Sequence, residues 1–124
     1  MSERRRNRLP RTRRISSSTE IRALFQRGKR SRTAHLDVFD SASPVAYPRV
    51  GIVVPKHRRN SVERNKLKRR LREVLRIEVL PRLAEREVPV DFLVRARREA
   101  YNATYDQLHD ELTDLLDRKW SHAR

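Results

Sequence analysis

The sequence predicts an α+β fold. The architecture is a small sandwich of a central, mostly antiparallel sheet packed with three helices, in the order α-β-β(-β)-α-β-α. Three observations predict it. Residues 35–39, 49–54 and 90–96 carry apolar side chains at alternate positions, the period of a strand. Three other stretches carry them at three- and four-residue spacing, the period of a helix. Leu, Val, Ile and Phe make up 31 of 124 residues, or 25%. That clears the roughly 20% below which a highly charged chain is usually disordered.

Residues 1–15 read as a basic, flexible arm, 16–120 as one domain and 121–124 as a tail. The first helix is expected over 18–27. Ser17 and Glu20 stand at capping-box spacing, and Ile21, Leu24 and Phe25 follow on one face. Gly28 is expected to end that helix in the left-handed conformation. In the strand over 35–39, Leu36 and Val38 share a face opposite Asp37 and Phe39. A loop with Pro44 and Pro48 leads to the strand over 49–54, where Val50, Ile52 and Val54 share a face. The two strands are expected to pair as an antiparallel hairpin. Gly51 leaves room for a close approach on the opposite face.

A basic turn over 56–60 precedes a long helix, expected over 61–80 and stopping before Pro81. Val62, Leu67, Leu71, Val74 and Leu75 form its apolar side. Residues 82–88 read as a polar connection. In the strand over 90–96, Val90, Phe92 and Val94 face one way, and Asp91, Leu93 and Arg95 the other. Thr104 and Gln107 form a second capping box. The helix after it has Tyr105, Leu108, Leu112, Leu115 and Leu116 on one face and acids elsewhere.

The net charge is +15, with 31 Lys+Arg against 16 Asp+Glu. It is concentrated: residues 1–34 carry +10 and residues 56–73 carry +7, while the remainder is close to neutral. Two basic blocks on a folding domain point to a polyanionic partner. Residues 64–73 hold six bases in ten positions, and Arg64, Lys68 and Arg72 fall on one helical stripe. Like charges at that spacing repel, and an anion across the stripe relieves them. Arg8, Arg11, Arg13 and Arg14 in the arm, with His57 and Arg58 in the turn, are supporting basic contacts.

Other chemistry finds little support. The chain has no cysteine, which excludes disulfides, thiolate metal sites and thiol nucleophiles. His35, His57, His109 and His122 lack metal-ligand spacing, and Asp37 and Asp40 read as solvated. With only Gly28 and Gly51 there is no glycine-rich phosphate loop. No catalytic or metal-binding residue is assigned on this chain. Neither a membrane span nor a secretory signal is expected. Residues 4–18 share the acid-free, Arg- and Ser-rich composition of an organelle transit peptide, but hold too few apolar residues for its amphipathic helix.

The segment Arg64, Asn65, Lys66, Lys68, Arg69, Arg72 and Glu73 resembles the signature of the bacterial ribonuclease P protein subunit. RNRLPR at 6–11, STEIRALFQRGKR at 18–30, PRVGIVVPKH at 48–57 and VDFLVRAR at 90–97 are similar to other family segments, in the same order. The resemblance runs from about residue 6 to residue 118. It implies a left-handed βαβ crossover, against the general right-handed rule. It also implies a cytoplasmic protein that assembles 1:1 with a catalytic RNA and assists removal of the 5′ leader from precursor tRNA. Mg²⁺ would act mainly through the RNA. Carried over by position, Arg64, Asn65, Lys66, Lys68, Arg69 and Arg72 would face the catalytic RNA. Phe25, Phe39 and Lys56 would line the leader cleft, between the first helix and the open sheet face. Phe39 is the better placed of the two rings by strand alternation. Three positions depart from the family pattern: Ile21 replaces a frequent Phe, Lys66 a third Arg, and Pro55 a small polar residue. The competing readings are a structural RNA-binding protein, a DNA-binding protein with its basic helix in the major groove, and a membrane-surface binder.

Overall fold

The computed structural model describes residues 9–121; Arg8, with the rest of 1–8, and residues 122–124 lie outside the described residues. Helix α1 (Ser18–Arg27) leads into one mixed sheet of four strands: β1 (Lys29–Arg32), β2 (Leu36–Ala42), β3 (Arg49–Val53) and β4 (Val90–Ala96). The spatial order is β1-β2-β4-β3. β1 pairs antiparallel with β2, and β2 with β4, whereas β3 runs parallel to β4. The expected hairpin between β2 and β3 therefore does not form. β4 lies between them, with Val38 opposite Val94 on one side and Ile52 opposite Val94 on the other. The physical reason is burial: Val90 to Val94 are all buried, on both faces, and such a strand is most stable at the centre of a sheet.

The parallel β3–β4 pair is joined by a helical rod. Helix α2 (Ser61–Val74) continues through a π-helical turn (Leu75–Val79) into helix α3 (Leu80–Glu85). The rod passes Pro81 instead of stopping before it. A proline lacks the N–H of the ladder and its ring crowds the carbonyl four residues back. The wide turn immediately before it, in which Leu80 N–H reaches the Leu75 carbonyl, accommodates that defect. Leu83 can then stay in the core at 1% exposure. A 3₁₀ turn (Arg98–Asn102) and helix α4 (Tyr105–Lys119) complete the chain.

The sheet separates two apolar clusters. Leu36, Val38, Val50, Val90, Phe92 and Val94 pack against Leu67, Leu71 and Val74 of α2 and Leu108, Leu112, Leu115 and Leu116 of α4. On the opposite face Phe39 and Leu93 meet Leu24 of α1 and Ile15, with Ile21, Phe25 and Val53 at the margin. Val62, expected on the apolar side of α2, is instead 64% exposed.

Packing begins inside the segment read as an arm. Leu9 and Ile15 are buried, and the Ile15 N–H donates to the Val50 carbonyl at 2.8 Å. Gly51 permits this: a Cβ there would lie 2.9 Å from Leu93 Cδ1 and 3.0 Å from the Ile15 carbonyl oxygen. Gly28 acts differently from expectation. Its backbone is extended, with φ −68° and ψ 153°, and a Cβ would meet the Leu24 carbonyl oxygen at 2.6 Å. Space, not handedness, selects glycine there.

Helix ends follow their caps. Thr104 and Gln107 form the expected reciprocal box, and Asn60 and Glu63 form another at α2. At α1 only half the box exists: Ser17 Oγ accepts from the Glu20 N–H. The Glu20 carboxylate is engaged elsewhere, accepting from Arg49 at 2.9 Å. Arg49 also makes a bidentate pair with Asp91 at 2.9 and 2.8 Å, so one largely buried guanidinium ties α1 to β3 and β4.

Candidate nucleic-acid interface

Two cationic surfaces emerge from this scaffold. The first is α2. Leu67 and Leu71 point into the core, which turns the intervening bases outward. Asn65, Lys66, Arg69 and Arg72 are exposed, and Arg64 and Lys68 are half-buried. Among the described residues, none of Arg64, Lys66, Lys68, Arg69, Arg70 and Arg72 has an acidic partner within 4.0 Å. The acids nearby are committed to other bases. Glu63 accepts from Arg59, and Glu73 from Arg76 at 2.7 Å. Hydrogen bonding to the Asn60 backbone, reinforced by Arg59, holds the Glu63 carboxyl below its ordinary range. Farther along, Arg82 pairs with Glu78, and Arg86 with Asp117. Unneutralised charge is thus confined to the first turns of the rod.

The second surface lies on the sheet face that α1 covers only in part. A cleft of about 350 Å³ is lined by Arg30 and Arg32 of β1, Asp37 of β2, Arg95 of β4, Arg97, Arg98 and Glu99 of the 3₁₀ turn, and His57. Five arginines face two carboxylates. Asp37 and Asp40, expected to be solvated, are both buried, and Asp37 pairs with Arg30 at 3.3 Å and Arg32 at 3.2 Å. Arg97 donates to the Thr33 and Ala34 carbonyls, which fixes that wall. Beside the cleft, Phe25 and Phe39 meet edge to face, with centroids 5.0 Å apart. Arg95 lies 5.3 Å over the Phe25 ring and Arg30 5.9 Å over that of Phe39.

Placement of the sequence candidates differs from case to case. Phe39 is only 5% exposed beneath its neighbours, whereas Phe25 is half-buried. From the turn, His57 lines the cleft, and Lys56 and Arg58 are exposed beside it. Arg14 and Arg72 come together at a separate hollow over Gly51, with Ile15 and Leu75 in its wall. Arg13 is stacked on Tyr47, its guanidinium carbon 3.9 Å from the ring centre, and Arg11 is exposed. Sequence reading did not find Arg30, Arg32, Arg95, Arg97 and Arg98. The one available signal was the Arg95 position, opposite Val94 in a strand whose neighbours are apolar.

Fold and charge define the class: a small basic α+β domain that presents a cationic helix face and a cationic sheet cleft. Comparison with known proteins is specific. The family model described as Ribonuclease P matches residues 9–120. A ribonuclease P protein component from Micrococcus luteus is 40% identical over 120 residues, covering 89% of each chain. The RNase P protein structure from Staphylococcus aureus superposes with a TM-score of 0.73 at 25% identity, over 87% of this chain and 96% of that one. The Thermotoga maritima RNase P protein gives 0.70 at 25% identity, over 85% and 96%. The chain belongs to the ribonuclease P protein family. It is the protein component of an endoribonuclease of tRNA processing, and that membership implies an RNA partner.

Proposed function

We propose that α2 binds the catalytic RNA and that the sheet cleft receives the 5′ leader of precursor tRNA. The observation that carries the reading is the set of six unpaired bases on α2, on a helix whose later bases are all paired with acids or otherwise engaged. A phosphate backbone supplies the missing anions and releases its counterions on binding. Arg64, Arg69 and Arg72 offer bidentate forks, while Lys66 and Lys68 offer point charges. Asn65, exposed between them, offers an amide to the same strand. Arg11, Arg14 and Arg72 would extend the contact along β3.

In the cleft, Arg30, Arg32, Arg95 and Arg98 would follow a single-stranded backbone, and Phe25 would stack on a base. Stacking is tolerant of base identity, which suits an enzyme acting on many precursors. Lys56, His57 and Arg58 would meet the strand at the cleft mouth. Phosphodiester hydrolysis is assigned to the RNA and its Mg²⁺ ions. Among the described residues no three His, Asp or Glu side chains come together as a metal-ligand set. Its contribution is fixed positive charge, which offsets repulsion between leader and catalytic RNA and so reduces the concentration of divalent ion needed. The assembly would be 1:1 and cytoplasmic.

The α2 assignment is tested by the salt dependence of catalytic-RNA binding. Replacing Arg64 and Lys68 together by Ala removes two phosphate contacts and should lower the slope of log K against log[salt] by about 2. An unchanged slope in a folded variant would show that the stripe does not touch phosphate.

A further inference from the structure

The turn before α2 is strained and has a dedicated support. His57 and Arg58 take φ values of 46° and 63°, left-handed conformations that β-carbon-bearing residues rarely adopt. Two such residues in succession persist only where surrounding contacts hold them, and they gather at functional sites. The contacts here converge on Tyr101, from the 3₁₀ turn after β4. Its hydroxyl donates to the Pro55 carbonyl at 2.7 Å. Its ring carries the Arg59 guanidinium at 4.9 Å and meets the His57 ring edge-on at 6.3 Å. Burial raises the Tyr101 pKa further above neutrality. At the start of the adjoining helix, the buried Nε of Arg64 has no hydrogen-bond partner.

The turn also has a particular location. His57 lines the sheet cleft, while Arg59 reaches Glu63 on α2 at 3.2 Å. It therefore joins the two cationic surfaces. We propose that Tyr101 is a positioning residue that holds Lys56–Arg59 as a preformed phosphate contact between cleft and helix. The ligand class is the sugar–phosphate backbone of the precursor leader strand, where it leaves the cleft beside the helix face given to the catalytic RNA. Tyr101 itself is only 9% exposed and acts through Arg59, His57 and the backbone it holds. The inference rests on the RNA-binding reading above.

The test uses the full chain assembled with the catalytic RNA, comparing wild type with Tyr101→Phe and Tyr101→Leu. Wild type first has to stimulate precursor tRNA cleavage at low Mg²⁺; its failure would count against the RNA-binding reading itself. Folding is followed by thermal unfolding, and precursor affinity is measured as a function of salt. Tyr101→Phe keeps the ring and loses the hydroxyl contact, so affinity should fall severalfold with little change in Tm. Tyr101→Leu should lose more, with the log–log slope reduced by about 1 as one phosphate contact disappears. Adding Arg59→Ala to Tyr101→Leu should cost little further, because both act on one contact. Wild-type affinity and slope in both single variants would overturn the proposal, as would a loss of Tm alone.

Discussion

Phe25 and Phe39 touch edge to face, yet their exposure separates their roles. Phe39 lies in the small cluster with Leu24 and Leu93, so Phe39→Ala should cost stability, about 3–5 kcal/mol. Phe25→Ala should instead weaken precursor tRNA binding by about 1–3 kcal/mol, the value of one stacked base, and leave mature tRNA binding unaffected. Equal losses for both tRNAs would place Phe25 in the core. Strand alternation correctly set Phe39 opposite Leu36 and Val38 but could not reveal that Phe25 covers it. The basic residues of 64–73 were legible because they are contiguous. The cleft arginines were not, because β1, β4 and the 3₁₀ turn contribute them separately and only the sheet order brings them together.

Elements with strong local signals were read close to their observed limits. α1 combines a side-chain cap, helical periodicity and a glycine stop, and α4 has a full capping box. β1 carries no sequence signal, since Lys29–Arg32 has no apolar alternation and lies at the sheet edge. Sequence alone ends the rod at Pro81, because the π turn that accommodates the proline leaves no local signal. That rod is joined to α4 by His109, which lies 3.4 Å from Glu78 and 3.0 Å from Asp110. The Asp110 hydrogen bond first, and Glu78 next, raise the His109 pKa above its ordinary 6.5. A raised folded-state pKa contributes stability fully below the unfolded value and loses it as pH rises through the folded one. Wild type should therefore lose a small increment, about 0.2–1 kcal/mol, on going from mildly acidic to alkaline pH. Denaturant unfolding of His109→Gln across the same range should lack that increment. An identical pH profile in both chains would contradict the assignment.

For the whole molecule, folding gathers the two charged stretches, together with Arg95, Arg97 and Arg98 from outside them, into two cationic surfaces joined at the turn before α2. The neutral remainder supplies three of the four strands and most of the core that hold them. Gly51 and Ile15 lay part of the basic N-terminal segment along β3, so Arg14 joins Arg72 of α2. This long-range arrangement explains why composition announced a polyanion partner while giving no map of the contacts. It also separates the proposed role from that of a generic basic protein, whose charge would be dispersed and interleaved with acids.

The central claim is that these surfaces assist an RNA catalyst on precursor tRNA. Its most direct test is reconstitution with the catalytic RNA from the same genome at a Mg²⁺ concentration too low for that RNA alone. The account predicts that the protein restores cleavage at the mature 5′ end. No restoration by a well-folded protein, with an RNA that is active at high Mg²⁺, would contradict it and favour a structural RNA-binding role.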